Sequence, residues 1–230
     1  MKRIVSTVLA GVVVVSLGGV AMAEEGHLGG TEIAVGVKSW VNDWKREVPG
    51  EGSTKSDNIM LVGPAVEVEF ANHLFAEASY LFSTSNYTLD ETGVDANFDR
   101  KDFDLAVGYS FLKYFGAFVG YRDSAFEKSN SNAKETSYGP LLGVRGSVAV
   151  NDALSVYAKG TYLITRLKTE EDGNSAKEDA PGWIAEIGVK YAFTKHLGAD
   201  LGYKYERTKG DSDIKDTFQG VTLGVSYTFE

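Results

Sequence analysis

The chain has 230 residues, a formal net charge of -9, 12% aromatic residues, 26 glycines, 4 prolines and no cysteine. That length suits one substantial domain, or one closed barrel of about eight to twelve strands. The lack of cysteine excludes disulfides, thiolate metal sites, cysteine nucleophiles and a lipid-modified N-terminal cysteine, and the acidic balance argues against a nucleic-acid partner.

Lys2 and Arg3 precede an apolar run from Ile4 to Val20, and Ala21-Met22-Ala23 supplies the small-x-small pattern that a signal peptidase reads. Residues 1–23 are expected to be a signal peptide, 24–30 a short periplasmic segment, and 31–230 the mature domain. Ser6, Thr7, Ser16 and three glycines interrupt the run, which falls short of the roughly 20 apolar residues of a membrane-spanning helix. Losing Lys2 and Arg3 takes the formal charge from -9 to about -11. No later stretch has the length of a spanning helix, so a mature chain that enters a bilayer must do so as a closed barrel.

Beyond the leader, period-two alternation predicts strands. A first strand lies near Thr31 to Trp44. Met60, Val62, Pro64, Val66, Val68 and Phe70 then share one face, as do Leu74, Ala76, Ala78, Tyr80 and Phe82. The same register runs from Phe103 to Phe111, Phe115 to Tyr121, Tyr138 to Val148 and Leu154 to Ile164. It continues from Trp183 to Phe193 and Leu197 to Tyr205, and a last strand spans Phe218 to Phe229. The pattern predicts an all-β fold, an antiparallel up-and-down transmembrane β-barrel with ten strands favoured and eight as the alternative.

Four short segments punctuate the strands: Phe70-Ala-Asn-His-Leu74, Phe111-Leu-Lys-Tyr-Phe115, Val150-Asn-Asp-Ala-Leu154 and Phe193-Thr-Lys-His-Leu197. Their spacing of roughly 40 residues fits a strand, a tight turn, a returning strand and a longer loop. The longer connections fall near 45–56, 86–101, 124–136, 166–181 and 207–217. Short periplasmic turns and long extracellular loops are the asymmetry of outer-membrane barrels, and an even strand count puts both mature termini with the short turns, in the periplasm.

The face opposite the apolar one carries charge and glycine. If the apolar face points outward, the lumen receives Glu67, Glu69, Glu77, Asp104, Glu186 and Asp200 against Arg122, Arg145, Lys159, Lys190 and Lys204. Such groups are expected to form an ion-paired plug in a narrow interior. Inward Trp40, Phe75, Leu81, Phe118, Leu141, Tyr157, Leu163 and Ile184 also favour a partly filled lumen. Outward aromatics fall into two bands, Phe70, Phe111, Phe115, Tyr191, Phe193, Tyr227 and Phe229 at one end and Tyr80, Phe82, Tyr121, Tyr162, Tyr203 and Tyr205 at the other. Paired aromatic girdles are a membrane signature.

Across residues 31–229 this pattern resembles the family of small outer-membrane β-barrel proteins of the OmpA-type transmembrane domain class. The most specific part is the C-terminal run Gly220-Val-Thr-Leu-Gly-Val-Ser-Tyr-Thr-Phe229, in which Val225, Tyr227 and Phe229 match the signal read by the barrel-assembly machinery. Glu230 departs from it, because that signal ordinarily ends on the aromatic residue. The resemblance implies an outer-membrane location, with lipids and lipopolysaccharide around the barrel.

Three histidines are present: His27 ahead of the first strand, and His73 and His196 in two tight turns. Ten-stranded omptin proteases are the sharp enzymatic alternative, but their acid and histidine act at the extracellular rim, where this chain has no histidine. No metal, cofactor or catalytic set is expected. The acidic stretches Asp90-Glu91 to Asp99 and Glu170-Glu171-Asp172 to Asp179 lack calcium-loop spacing and read as solvated loops. The expectation is a non-enzymatic barrel with a structural or surface-interaction role, set against a narrow porin-like diffusion channel, with an outer-membrane enzyme as the remote third reading.

Overall fold

A computed structural model describes residues 30–91, 94–129 and 133–229; the expected leader, His27 and Glu230 lie outside them. The described chain forms fourteen strands in one sheet and no helix. They are β1 (Glu32–Val48), β2 (Gly52–Lys55), β3 (Ile59–Glu69), β4 (Leu74–Ser83), β5 (Tyr87–Glu91), β6 (Val94–Leu112) and β7 (Phe115–Lys128). After them come β8 (Lys134–Ala149), β9 (Leu154–Leu163), β10 (Arg166–Glu171), β11 (Asn174–Asp179), β12 (Gly182–Ala192), β13 (Leu197–Lys209) and β14 (Lys215–Phe229).

Ten of these close into an antiparallel ring in the order β1-β3-β4-β6-β7-β8-β9-β12-β13-β14. The final seam joins β1 to β14 from Ile33↔Phe229 to Glu47↔Lys215. The favoured count of ten is therefore the observed one. Closure leaves the ring with no open sheet edge, which is the condition for spanning a membrane with strands.

The four extra strands stand outside the ring: β2 pairs with β1, β5 with β6, β10 with β8, and β11 with β10. Segments expected as long loops are thus largely hairpin extensions of the barrel wall. The difference has a physical reason: Arg166-Leu-Lys-Thr-Glu-Glu171 and its partner Asn174-Ser-Ala-Lys-Glu-Asp179 are polar on both faces, so solvated strands there leave no alternating trace.

The recurring tight turns share a device. Phe70, Val150 and Phe193 each donate a backbone N–H to the carbonyl of the residue four further on. A short polar side chain then takes up the freed amides: Asn72 accepts from Leu74 N–H at 3.2 Å, Asn151 from Ala153 and Leu154 at 2.9 Å, and Thr194 from Leu197 at 2.9 Å. This accounts for the polar residue between two large apolar ones in these three links.

Inward glycines let neighbouring backbones cross closely. A Cβ on Gly220 would stand 1.9 Å from the Val41 carbonyl oxygen, and one on Gly63 1.9 Å from that of Tyr80. Outside, Leu105, Val107, Val119, Leu142, Val144, Ile187, Leu201 and Leu223 are exposed in a continuous apolar belt. Aromatic bands flank it, and at the long-hairpin side Trp183 stacks on Tyr205 with centroids 4.8 Å apart. Above that band Lys101 and Lys134 pair with Glu127 at 2.9 and 3.3 Å, and the hydrogen bond from Lys101 holds the Glu127 carboxyl below its ordinary range.

Candidate functional site: the barrel interior

The interior is built in tiers. In the long-hairpin half, β6, β7 and β13 bring Arg100, Asp102, Asp104, Arg122, Lys204 and Glu206 together. Arg100 pairs with Asp102 at 2.8 Å and Glu206 at 2.9 Å. Arg122 reaches Asp102 at 3.3 Å, Asp104 at 3.0 Å and Glu206 at 2.9 Å, and Lys204 lies 3.6 Å from Glu206. Ser124 donates to Asp102 at 2.6 Å. Three carboxylates thus face three cations, and Arg100, Asp102, Arg122 and Glu206 are buried almost completely. Charges so far from water persist only when paired this fully.

Aromatic rings close the space around that node. Trp44 stacks on Phe218 at 5.5 Å and meets Tyr87, Phe98 and Phe126 at 5.8, 5.3 and 5.2 Å. The Arg100 guanidinium carbon sits 4.0 Å from the Phe218 centroid and 5.1 Å from those of Trp40 and Phe126. Its Nη1 has no hydrogen-bond partner among the described residues, and ring faces take the place of an acceptor. Further toward the long hairpins, Arg46 on β1 bonds Asp216 on β14 at 2.8 Å and reaches Glu135 on β8 at 2.7 Å. Because β8 lies on the far side of the ring from β1, this contact is a strap across the mouth.

The tight-turn half is looser. Arg145 on β8 pairs with Glu67 and Glu69 on β3 and with Glu77 on β4, the last at 3.0 Å; Lys159 also pairs with Glu77, and Lys190 lies 3.7 Å from Glu67. The Arg145 guanidinium carbon stands 3.4 Å from the Phe75 ring centroid. Between this tier and the central node lies a cavity of about 1000 Å³ whose lining runs from Trp40, Arg122 and Lys204 down to the tight turns. The Trp44, Phe98, Phe126 and Phe218 rings stand beyond this lining, toward the long hairpins.

All eleven charged residues expected in the lumen line this interior, but not as one network. Asp104, Arg122 and Lys204 belong to the central node, and Glu67, Glu69, Glu77, Arg145, Lys159 and Lys190 to the lower tier. Glu186 accepts a hydrogen bond from Tyr157 Oη at 2.9 Å, and neither it nor Asp200 makes an ion pair among the described residues. Sequence reasoning missed Arg100, Asp102, Glu206, Lys38, Arg46, Glu135 and Asp216. A step of two from Asp104, Lys204 or Trp40 would have found Asp102, Glu206 and Lys38.

The other singled-out residues occupy ordinary places. His73 packs edge-on to Tyr109 at 6.1 Å and His196 stacks on Tyr227 at 5.5 Å, in turns separated around the ring. No cluster of three or more metal-ligating side chains occurs among the described residues. Glu170 pairs with Lys168 and Asp179 with Arg166, while the side chains of Asp90 and Glu91 lie outside the described set. Val225, Tyr227 and Phe229 face outward on β14 and pair with Val37, Val35 and Ile33.

A closed ring of ten antiparallel strands, apolar outside and ion-paired within, defines a transmembrane β-barrel. The chain belongs to the outer membrane protein beta-barrel domain family, whose model matches residues 8–229. It is 26% identical over 164 residues to one outer membrane protein P5 of Haemophilus influenzae and 30% over 142 residues to another, covering 59% and 54% of this chain. It spans only 46% and 37% of those relatives. In fold it is similar to the outer membrane protease OmpT from Escherichia coli, with TM-score 0.58, 13% identity and coverage of 86% of this chain and 96% of that one. The translocator domain of the autotransporter NalP from Neisseria meningitidis matches with TM-score 0.50 and 14% identity, over 88% and 90% of the chains. At such identities the likeness concerns the fold alone.

Proposed function

We propose that this protein is a non-enzymatic, non-conducting outer-membrane barrel that works as a structural element and presents its long hairpins as an interaction surface. The observation that carries this reading is the seal in the long-hairpin half: the Trp44 ring cluster, the Arg100–Asp102–Glu206–Arg122 node and the Arg46 strap stand in series across one lumen. A solute path would have to break several buried ion pairs at once, at several kcal/mol each.

In this reading the tight turns and the mature termini face the periplasm and the hairpins β2, β5 and β10–β11 stand outside the cell. Lipids surround the apolar belt, lipopolysaccharide meets the charged residues above it, and the outward Val225, Tyr227 and Phe229 serve recognition by the assembly machinery. Both described histidines, His73 and His196, sit at the tight-turn end, which supports a reading without a histidine base at the outer rim. The second reading, a narrow diffusion channel, draws on the cavity of about 1000 Å³ that opens at the other end. Planar-bilayer recordings on refolded protein separate the two: a silent membrane is expected, and stable unitary currents would establish the channel.

A further inference from the structure

The cavity holds charges that the ion-pair tiers leave over. Lys38 projects into it from β1 and makes no ion pair or hydrogen bond among the described residues; Glu186 and Asp200 line the same cavity. Among the described residues, Glu186 is hydrogen-bonded to Tyr157 alone, and one Asp200 carboxylate oxygen has no partner. Register explains the clustering, since Lys38 opposes Gly224, which opposes Asp200, and one step further Trp40 opposes Thr222, which opposes Gly202. The two glycines let the Asp200 carboxylate lie over Gly224 and the Tyr157 and Thr222 hydroxyls over Gly202. A Cβ at Gly224 would meet Asp200 Oδ1 at 2.1 Å, and one at Gly202 would meet Tyr157 Oη at 2.5 Å and Thr222 Oγ1 at 2.7 Å. Two buried groups of this wall, Trp40 Nε1 and Thr222 Oγ1, have no hydrogen-bond partner among the described residues. Across the ring, Phe118 and Leu141 line the same cavity with apolar surface.

We propose that this wall binds a small zwitterion, a molecule with one ammonium and one carboxylate on an apolar body, admitted from the tight-turn end. The left-over charges select that class. A simple amine is repelled by Lys38 and by Lys159, Lys190 and Lys204, which stand opposite the two carboxylates on neighbouring strands, and a simple acid is repelled by Asp200 and Glu186. A zwitterion sets its ammonium at the carboxylates and its carboxylate at Lys38, while its body covers Phe118 and Leu141. The cavity volume is at the upper end for small-molecule sites, so room does not limit the choice. The site is independent of whether the lumen conducts.

Titrating L-phenylalanine, phenethylamine and phenylpropionate into isotope-labelled, refolded protein, and following the Gly202 and Gly224 amide signals, tests this. Saturable shifts are expected with L-phenylalanine in the millimolar range, and binding at least about tenfold weaker for the other two. In Lys38→Met, with the remaining strand signals unchanged, L-phenylalanine should bind about tenfold more weakly and lose its advantage over phenethylamine. No saturable shift at tens of millimolar, equal binding of the amine or the acid, or an unaffected Lys38→Met protein would each overturn the assignment.

Discussion

Arg100→Ala is expected to destabilise the barrel by about 3–5 kcal/mol, the cost of leaving buried charge short of its partner. Arg100 donates Nε to Asp102 and Nη2 to Glu206, and the remaining cations cannot replace it. Arg122 is already shared among Asp102, Asp104 and Glu206, and Lys204 is 3.6 Å from Glu206 alone. Three carboxylates would then face two cations, and the Phe218, Trp40 and Phe126 rings would lose the group they cover. Arg100→Lys keeps the charge but not the planar fork, so it should recover only part of the loss. Urea unfolding of protein folded into vesicles reads the difference. Added salt should change it little, because these pairs are shielded from solvent ions. An Arg100→Ala midpoint equal to that of the parent would remove the node from the account.

Leu201→Arg is expected to cost roughly 2–4 kcal/mol, the penalty for a cation on the lipid face near the bilayer midplane. Leu201 is 50% exposed, opposes Val189 and Leu223, and stands between the aromatic bands. Its neighbour Asp200 faces the lumen, where it makes no ion pair, so Asp200→Asn should fold as the parent does. Heat-modifiable gel mobility after folding into liposomes compares the two. Equal folded yields for both variants would contradict the outward assignment of Leu201.

The barrel was legible because lipid and lumen impose opposite chemistry on alternate residues, so Val221, Leu223, Val225, Tyr227 and Phe229 declare their face without any tertiary information. The turns were legible for a similar reason, since Asn72, Asn151 and Thr194 do local work. Beyond the apolar belt, toward the long hairpins, the outer face turns polar and the alternation fades. Arg100 and its neighbour Phe98 fell in the stretch 86–101 and Phe126 in 124–136, both read as loops, although all three are buried inside the barrel. The pairings were illegible for another reason. Arg100 and Glu206 are 106 residues apart, and they meet only because ring order and shear place β6 and β13 across the same level.

The absence of cysteine makes one measurement decisive for the sealed lumen. Ser79 lines the cavity beneath the plug, and Ser53 is exposed on β2 at the long-hairpin end. Ser79→Cys and Ser53→Cys proteins, displayed on whole cells, are treated with a bulky membrane-impermeant maleimide and treated again after the periplasm is opened. Position 53 is expected to react from outside at once, while position 79 stays unlabelled until the periplasmic side is exposed. Prompt labelling of position 79 on intact cells would show that the long-hairpin end is open and would contradict the occluded barrel.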